Sequence, residues 1–460
     1  MATPIAFSRE GIYGALKYWY RDGIEDVFFR ASPVLMNMEK QRFEGEAAVV
    51  PVITSRGGAV GADWEEVKKL AATTGRTKAF KVQAGRVFTA YTITQQEVLA
   101  TKTDKYAFMK ATGLKFLAAT NGLRQTMAAA LYGSGWGELC QVKDAVSVDT
   151  ATTSVITLPY DAIVKIDVEQ ILEVKEKIND TTTKGKVKIE KINGDKVSVK
   201  AVDNAVSIAA NDWLCIAGGI DTTKDVTCPA FPVGLGGWLP DAYDRDGADW
   251  ETYIAEPFFE VDRSVNADKL AGHFVKVASG ESYVSGLKQG IKLARRNGSN
   301  ANLIVLNDND FGKVADEMEA TSTFFTQTGT IVEKEGTAGF SRIASAFSTN
   351  FIQNIWDDAN CPEGKFYILD QSEFVLLSYT NAEKPFTNGI PGNNPGKQDP
   401  MTFNDEGKGE QPHQLLLDDY IVIEDGVATP AGPAVLVGLS FYGSFAVYNP
   451  SNCVVGKFAA

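Results

Sequence analysis

Met109, Gly113, Phe116, Thr120, Leu123, Met127 and Leu131 recur at steps of four, three, four, three, four and four, a spacing that lines one face of an α-helix. The stretch Asp104–Gly133 is therefore predicted to be one long helix, with Thr103 or Asp104 capping its start and Gly133 beyond its last turn. At 1.5 Å per residue it would run about 43 Å, comparable to the width of a small domain, and so form a spine. Its core residues would be Phe116, Leu123, Met127 and Leu131. A second line, Ala107, Ala111, Leu114, Ala118 and Gly122, has mostly small side chains and predicts close approach of another backbone.

Around this helix the period shortens. The apolar run Val49–Ile53 and the alternating Phe80, Val82, Val87 and Phe88 flank a tip containing Gly57, Gly58 and Gly61, which predicts two strands of a long hairpin within 46–92. Arg56 beside these glycines suggests a phosphate cradle, but the G-x-x-x-x-G-K-[ST] spacing and the strand–loop–helix context are missing, so a mobile hairpin is the better reading. Between 139 and 230 the chain is rich in Thr, Val, Ile, Asp and Lys. There Val187 and Ile189 precede Asn193-Gly194-Asp195, and Val197 and Val199 follow it, a tight-hairpin signature. This segment reads as a β-rich module inserted between the glycine-rich joints Gly133–Gly137 and FPVGLGGWLPD.

Farther on, a second helix is predicted over Glu281–Asn297, a strand over Asn302–Leu306, and two strands in 365–379 around a turn at Asp370-Gln371-Ser372. Proline, glycine and asparagine dominate 381–412, predicting a long exposed loop. The apolar, strand-rich end is predicted to pair back against the long helix. At the start, Tyr13, Tyr18, Trp19, Tyr20, Phe28 and Phe29 alternate with glycines. They suit equally a segment packed on its own core and an arm that lays Tyr18, Trp19 and Tyr20 on a neighbouring subunit.

With 460 residues and 44% hydrophobic content, the chain can bury a large core spread over two to four domains. Its net charge of −13 argues against nucleic-acid binding over the whole surface, though not against a local basic strip. Five scattered cysteines with no C-x-x-C pair point away from a disulfide framework or a zinc site. No basic leader and no apolar run of about 18 residues is present, so a reducing cytoplasm is expected and no membrane partner.

Catalytic motifs are missing as well. His273 and His413 are the only histidines, neither within H-E-x-x-H spacing, and there is no G-x-S-x-G elbow and no G-x-G-x-x-G turn. Asp308, Asp310 and Glu319 approximate a calcium loop, but Lys313 occupies the position of its obligatory glycine, so a helix N-cap cluster is the better account. No catalytic residue, cofactor or metal is assigned.

The order of these pieces resembles the major capsid proteins of tailed bacteriophages. The resemblance is carried by the arm, the extended loop, the long helix ending in LYGSGWGEL, then LGGWLPD, FFEVDRSVNADKLAG, NLIVLNDNDFGKVADEM and VGLSFYGSFAVYNPSNCVVGKF. It spans nearly the whole chain outside 139–230. It implies an α+β capsid fold in which 1–45 is the N-terminal arm and 46–92 the extended loop. Residues 93–138 would be the peripheral domain with the spine helix, 139–230 the inserted β-rich domain, and 231–299 a return to the peripheral domain. The axial domain would be 300–414, and 415–460 the C-terminal strands of the peripheral domain.

The resemblance further implies a non-enzymatic protein of the virion capsid, assembled in the host cytoplasm into pentamers and hexamers of an icosahedral shell. Implied partners are a separate scaffolding protein, a portal protein, a decoration protein in some members, and packaged DNA contacted without sequence preference. Arg56, Gly57, Gly58 and Gly61, with Tyr18, Trp19 and Tyr20, would make inter-subunit contacts. An encapsulin-like compartment holding protein cargo is the alternative within this fold. A β-rich carbohydrate-active enzyme or adhesin is the alternative outside it.

Overall fold

The computed structural model describes residues 32–42, 45, 47–54, 62–70, 77–94, 105–221, 228–241, 245, 248–322, 354–378, 421–428 and 434–458. They form two compact units. One contains 86–94, 105–127, 378, 421–428 and 434–442, and the other holds the remaining described residues.

In the first unit the long helix runs Lys105–Ala130, its last three residues belonging to the other unit. Leu123 and Met127 are buried, and Leu131 is buried in the turn just past the helix end, while the Phe116 side chain lies outside the described residues. At Gly122, on the small-residue line, an added Cβ would meet nothing within 4 Å among the described residues. Strand Ile421–Ala428 pairs antiparallel with Ala434–Val447, from Ile421 opposite Phe441 to Ala428 opposite Val435, with a bulge between Glu424 and Val427. Gly85–Thr94 pairs with the same long strand, and Phe88 meets Tyr442 edge-on at 5.8 Å.

The second unit contains a six-stranded antiparallel sheet ordered Glu138–Gln141, Trp213–Ile216, Ile171–Lys175, Gly185–Asn193, Lys196–Ala201, Ser154–Thr157. A two-stranded ribbon of Val146–Val148 and Val206–Ile208 lies in the same segment. Alternation sends Val187, Ile189, Val197 and Val199 inward, where they join Ile156, Leu172, Val174 and Leu214 in one core. Gly194 takes φ +59° in the predicted turn, which admits the short loop between Asn193 and Lys196.

A mixed five-stranded sheet follows the order His273–Lys276, Val454–Lys457, Lys365–Leu369, Leu303–Leu306, Asn354–Asp357. Helices Tyr283–Arg296 and Asp308–Ser322 contribute Leu287, Ile291, Ala294 and Val314 to its core. Asn307 Oδ1 accepts the Asn309 N–H at 3.0 Å, and Asp308 and Asp310 occupy the first turn, so this acidic cluster starts a helix as predicted. One expectation changes here. The C-terminal strand Val454–Lys457 lies inside this sheet, parallel to His273–Lys276 and antiparallel to Lys365–Leu369, and a division at 299/300 or at 414/415 would cut the sheet. The strands Lys365–Leu369 and Phe374–Ser378 flank the Asp370 turn as expected, and Phe374–Ser378 joins a different sheet. Every residue of Phe374–Ser378 is buried, so both its faces need cover that a lone hairpin cannot supply.

The two glycine-rich joints meet at the end of the long helix. Leu235 donates its N–H to Leu131 O at 2.7 Å, and a Cβ on Gly234 would lie 2.2 Å from the oxygens of Ala130 and Leu131, so only glycine lets this backbone settle there. Trp238 is buried between Phe80 at 5.1 Å, Phe258 at 5.2 Å and Phe259 at 5.5 Å, and its Nε1–H donates to Phe445 O at 2.9 Å. The Phe258–Val261 turn behind it carries φ 47° at Phe259 and 67° at Glu260, a left-handed pair without glycine, stabilised by this ring cluster.

Candidate functional site

His273 is buried on its strand; burial pushes its pKa down, Asp268 opposing, and its Nδ1 stands 3.6 Å from that carboxylate. Burial thus favours the uncharged imidazole, which also hydrogen-bonds the backbone of Ser451; His413 lies outside the described residues. Burial raises the thiols of Cys140, Cys215 and Cys453 to about 12 and that of Cys361 well above its ordinary value, so none supplies a thiolate near neutral pH. No group of three or more potential metal ligands occurs among the described residues.

A buried polar cluster centres on Asp358, 1% exposed. Its Oδ2 accepts from Ser32 Oγ and, at 2.7 Å, from Tyr132 Oη, and its Oδ1 accepts the Asn360 N–H at 2.9 Å and Nδ2 at 3.2 Å. Burial raises the carboxyl's pKa and these donors lower it. Ser32 Oγ also accepts the Leu35 N–H at 3.3 Å, capping the short helix Pro33–Asn37. The cluster therefore ties residues 32, 132 and 358 together. Sequence reasoning missed it because the three lie far apart in the chain.

The hairpin turns an apolar face outward. Ala47–Ile53 and Thr77–Gln83 pair antiparallel in unbroken register, from Ala47 opposite Gln83 to Ile53 opposite Thr77. Alternation buries Val50, Val52, Phe80 and Val82 and turns Val49, Pro51, Ile53 and Ala79 outward. Val49 is 62% and Ile53 64% exposed, and Trp64, on helix Trp64–Leu70 in the connection, is 68% exposed. Val49 opposes Lys81, whose ammonium pairs with Glu260 at 2.6 Å, so a polar margin borders the apolar strip. This pattern of apolar centre and polar rim is that of a contact surface.

The structure also revises this segment. The connection holds a helix rather than only a glycine tip, and the alternating run breaks after Gln83, so that Val87 and Phe88 sit on the separate strand Gly85–Thr94. Arg56, Gly57, Gly58, Gly61, Tyr18, Trp19 and Tyr20 lie outside the described residues. The outward partners of the alternation, Val49 and Ile53, are the contact candidates that the sequence reading passed over. Their signal was the period-two pattern of a strand whose two faces are both apolar.

No protein-family model and no curated protein matches the chain. Among solved structures, it is similar over 96% of its length and 96% of the other chain to the capsid asymmetric unit of Cyanophage A-1(L), at 11% identity and TM-score 0.50. The capsid of a native GTA particle matches at 11% identity and TM-score 0.41, covering 96% of each chain. The SrpI encapsulin of Synechococcus elongatus PCC 7942 matches at 8% identity and TM-score 0.40, over 98% of this chain and 96% of that one. The likeness to the cyanophage chain is one of fold, and the fold here is that of tailed-phage capsid proteins.

Proposed function

We propose that this protein is the shell subunit of a tailed-phage head, assembling with copies of itself into a closed icosahedral shell around DNA, and that it carries no reaction. The observation behind the reading is a capsid fold matched over 96% of the chain, combined with an outward apolar strip on its hairpin. Copies associate as pentamers and hexamers in the virion capsid, assembled in the host cytoplasm with a separate scaffolding protein, a portal and, in some heads, a decoration protein. Residues 1–45 act as arm and 46–92 as extended loop, with Arg56, Gly57, Gly58, Gly61, Tyr18, Trp19 and Tyr20 at contacts between copies. Residues 139–230 are an inserted module resting on the core that gathers Leu139 to Leu214.

Negative-stain microscopy of the purified chain, with its nucleic-acid content measured, tests the reading. Closed shells support it, whereas soluble monomers that cleave a glycan refute it and shells filled with a co-purifying enzyme favour a compartment. The module has its own test. Expressed alone, 139–230 is expected to give dispersed amide resonances and one cooperative melt, and a random-coil spectrum would count against insertion.

A further inference from the structure

Helix Tyr283–Arg296 carries Lys288, Lys292, Arg295 and Arg296 and no carboxylate, in a chain where 58 acidic residues outnumber 45 basic ones. Its apolar face, Gly286, Leu287, Gly290, Ile291 and Ala294, is buried. At 3.6 residues per turn, Lys288, Lys292 and Arg296 fall on the opposite side in one row, about 6 Å apart along the axis. All three are exposed.

Several cations of the described chain are matched: Lys81 with Glu260 at 2.6 Å, Lys184 with Asp212 at 2.8 Å, Lys365 with Asp241 at 2.7 Å and Lys313 with Asp310 at 3.0 Å. Lys288, Lys292 and Arg296 make no ion pair or hydrogen bond among the described residues. Two carboxylates near the helix start are engaged elsewhere. Glu281 accepts from Gln289 Nε2 at 2.6 Å, and Glu317 accepts the N–H groups of Tyr283 and Val284 at 3.0 and 3.1 Å. Interaction with the helix dipole accounts for Arg295 and Arg296 in the last turn, but not for Lys288 and Lys292 in the middle.

We propose that the row Lys288, Lys292 and Arg296 docks on the phosphate backbone of double-stranded DNA. This rests on the shell reading above, which supplies the DNA, and it names the surface that would line the packaged genome. The row is a straight line of fixed positive charge held by a helix whose other face is anchored. A duplex presents one negative charge per about 1.7 Å of axis, so such a row neutralises phosphates without needing register or a base sequence.

The test uses the full-length chain, wild type and Lys288→Gln/Lys292→Gln/Arg296→Gln, with binding to a short mixed-sequence duplex followed by fluorescence anisotropy across a salt series. Because the three side chains are exposed, the variant is expected to melt at the wild-type temperature. Its log–log salt slope should be shallower by about 2.7, three phosphates at about 0.9 each. Raising salt fourfold should therefore weaken the wild type about 40-fold more than the variant. An unchanged slope overturns the proposal. So does a variant that binds DNA like the wild type but no longer forms shells, because the row would then face another copy of the chain. Microscopy and a glycan-cleavage assay on the same wild-type sample separate the two ideas: a reduced slope from soluble monomers that cleave a glycan supports the docking row and refutes the shell reading.

Discussion

Val49→Glu combined with Ile53→Glu is expected to abolish closed shells while leaving the isolated subunit's melting temperature nearly unchanged. Both side chains are more than half exposed on the hairpin's outward face, at 62% and 64%, and exposed substitutions usually move stability by no more than about 0.5 kcal/mol. The inward face, with Val50, Val52, Phe80 and Val82, is untouched. If the strip meets a neighbouring copy, each carboxylate is driven into a desolvated contact, where central residues typically cost about 2 kcal/mol or more. Two such losses weaken one contact about a thousandfold, and a shell repeats that contact in every subunit. Light scattering, microscopy and circular dichroism on one preparation read both halves. Shells of normal yield would remove the hairpin from assembly, and a collapsed melt would place this face in the subunit's own core.

Leu123→Asp is expected to leave little folded, soluble protein. Leu123 is 1% exposed toward the C-terminal end of Lys105–Ala130, so the change removes a buried side chain worth about 1.5–3 kcal/mol and buries a carboxylate there. Domains are stable by only about 5–15 kcal/mol in total, and the added charge alone consumes much of that margin. Arg124 offers no rescue, because adjacent helix positions face different ways and its Nη1 already bonds Asn121 Oδ1 at 3.3 Å. Leu123→Met, which keeps volume and polarity, should melt within a few degrees of the wild type. Wild-type yield and melting temperature for the aspartate variant would refute burial of this helix face.

Elements whose signal is local were legible. The four-three spacing around Leu123 and Met127 located a helix found at Lys105–Ala130, and Glu281–Asn297 located one found at Tyr283–Arg296. Asn193-Gly194 marked its hairpin because a positive φ at Gly194 is a property of two or three residues. The candidate contact surface was half legible. Its hairpin was visible, but attention went to the glycines of the tip, since glycine punctuates a sequence more loudly than the outward-facing valine and isoleucine of an apolar strand. The helix Trp64–Leu70 escaped notice because its seven residues span only about two turns, too short for a period to declare itself.

What the sequence by itself determined is the alternation of burial along each element, and with it the kind of element, because helix and strand periods follow from backbone geometry within a few residues. It determined the local caps and turns too, as at Asn307 and Asp370. Only the tertiary structure decided which strand lies beside which. Val454–Lys457 is equally apolar beside any partner, yet it sits between His273–Lys276 and Lys365–Leu369, because a strand buried on both faces is satisfied only where two neighbours accept its backbone and helices cover its sides. Likewise, nothing near Asp358 in the chain foretells that Ser32 and Tyr132 donate to it. Burying a carboxylate is too costly without donors, and whether donors arrive from residues far away depends on the completed fold.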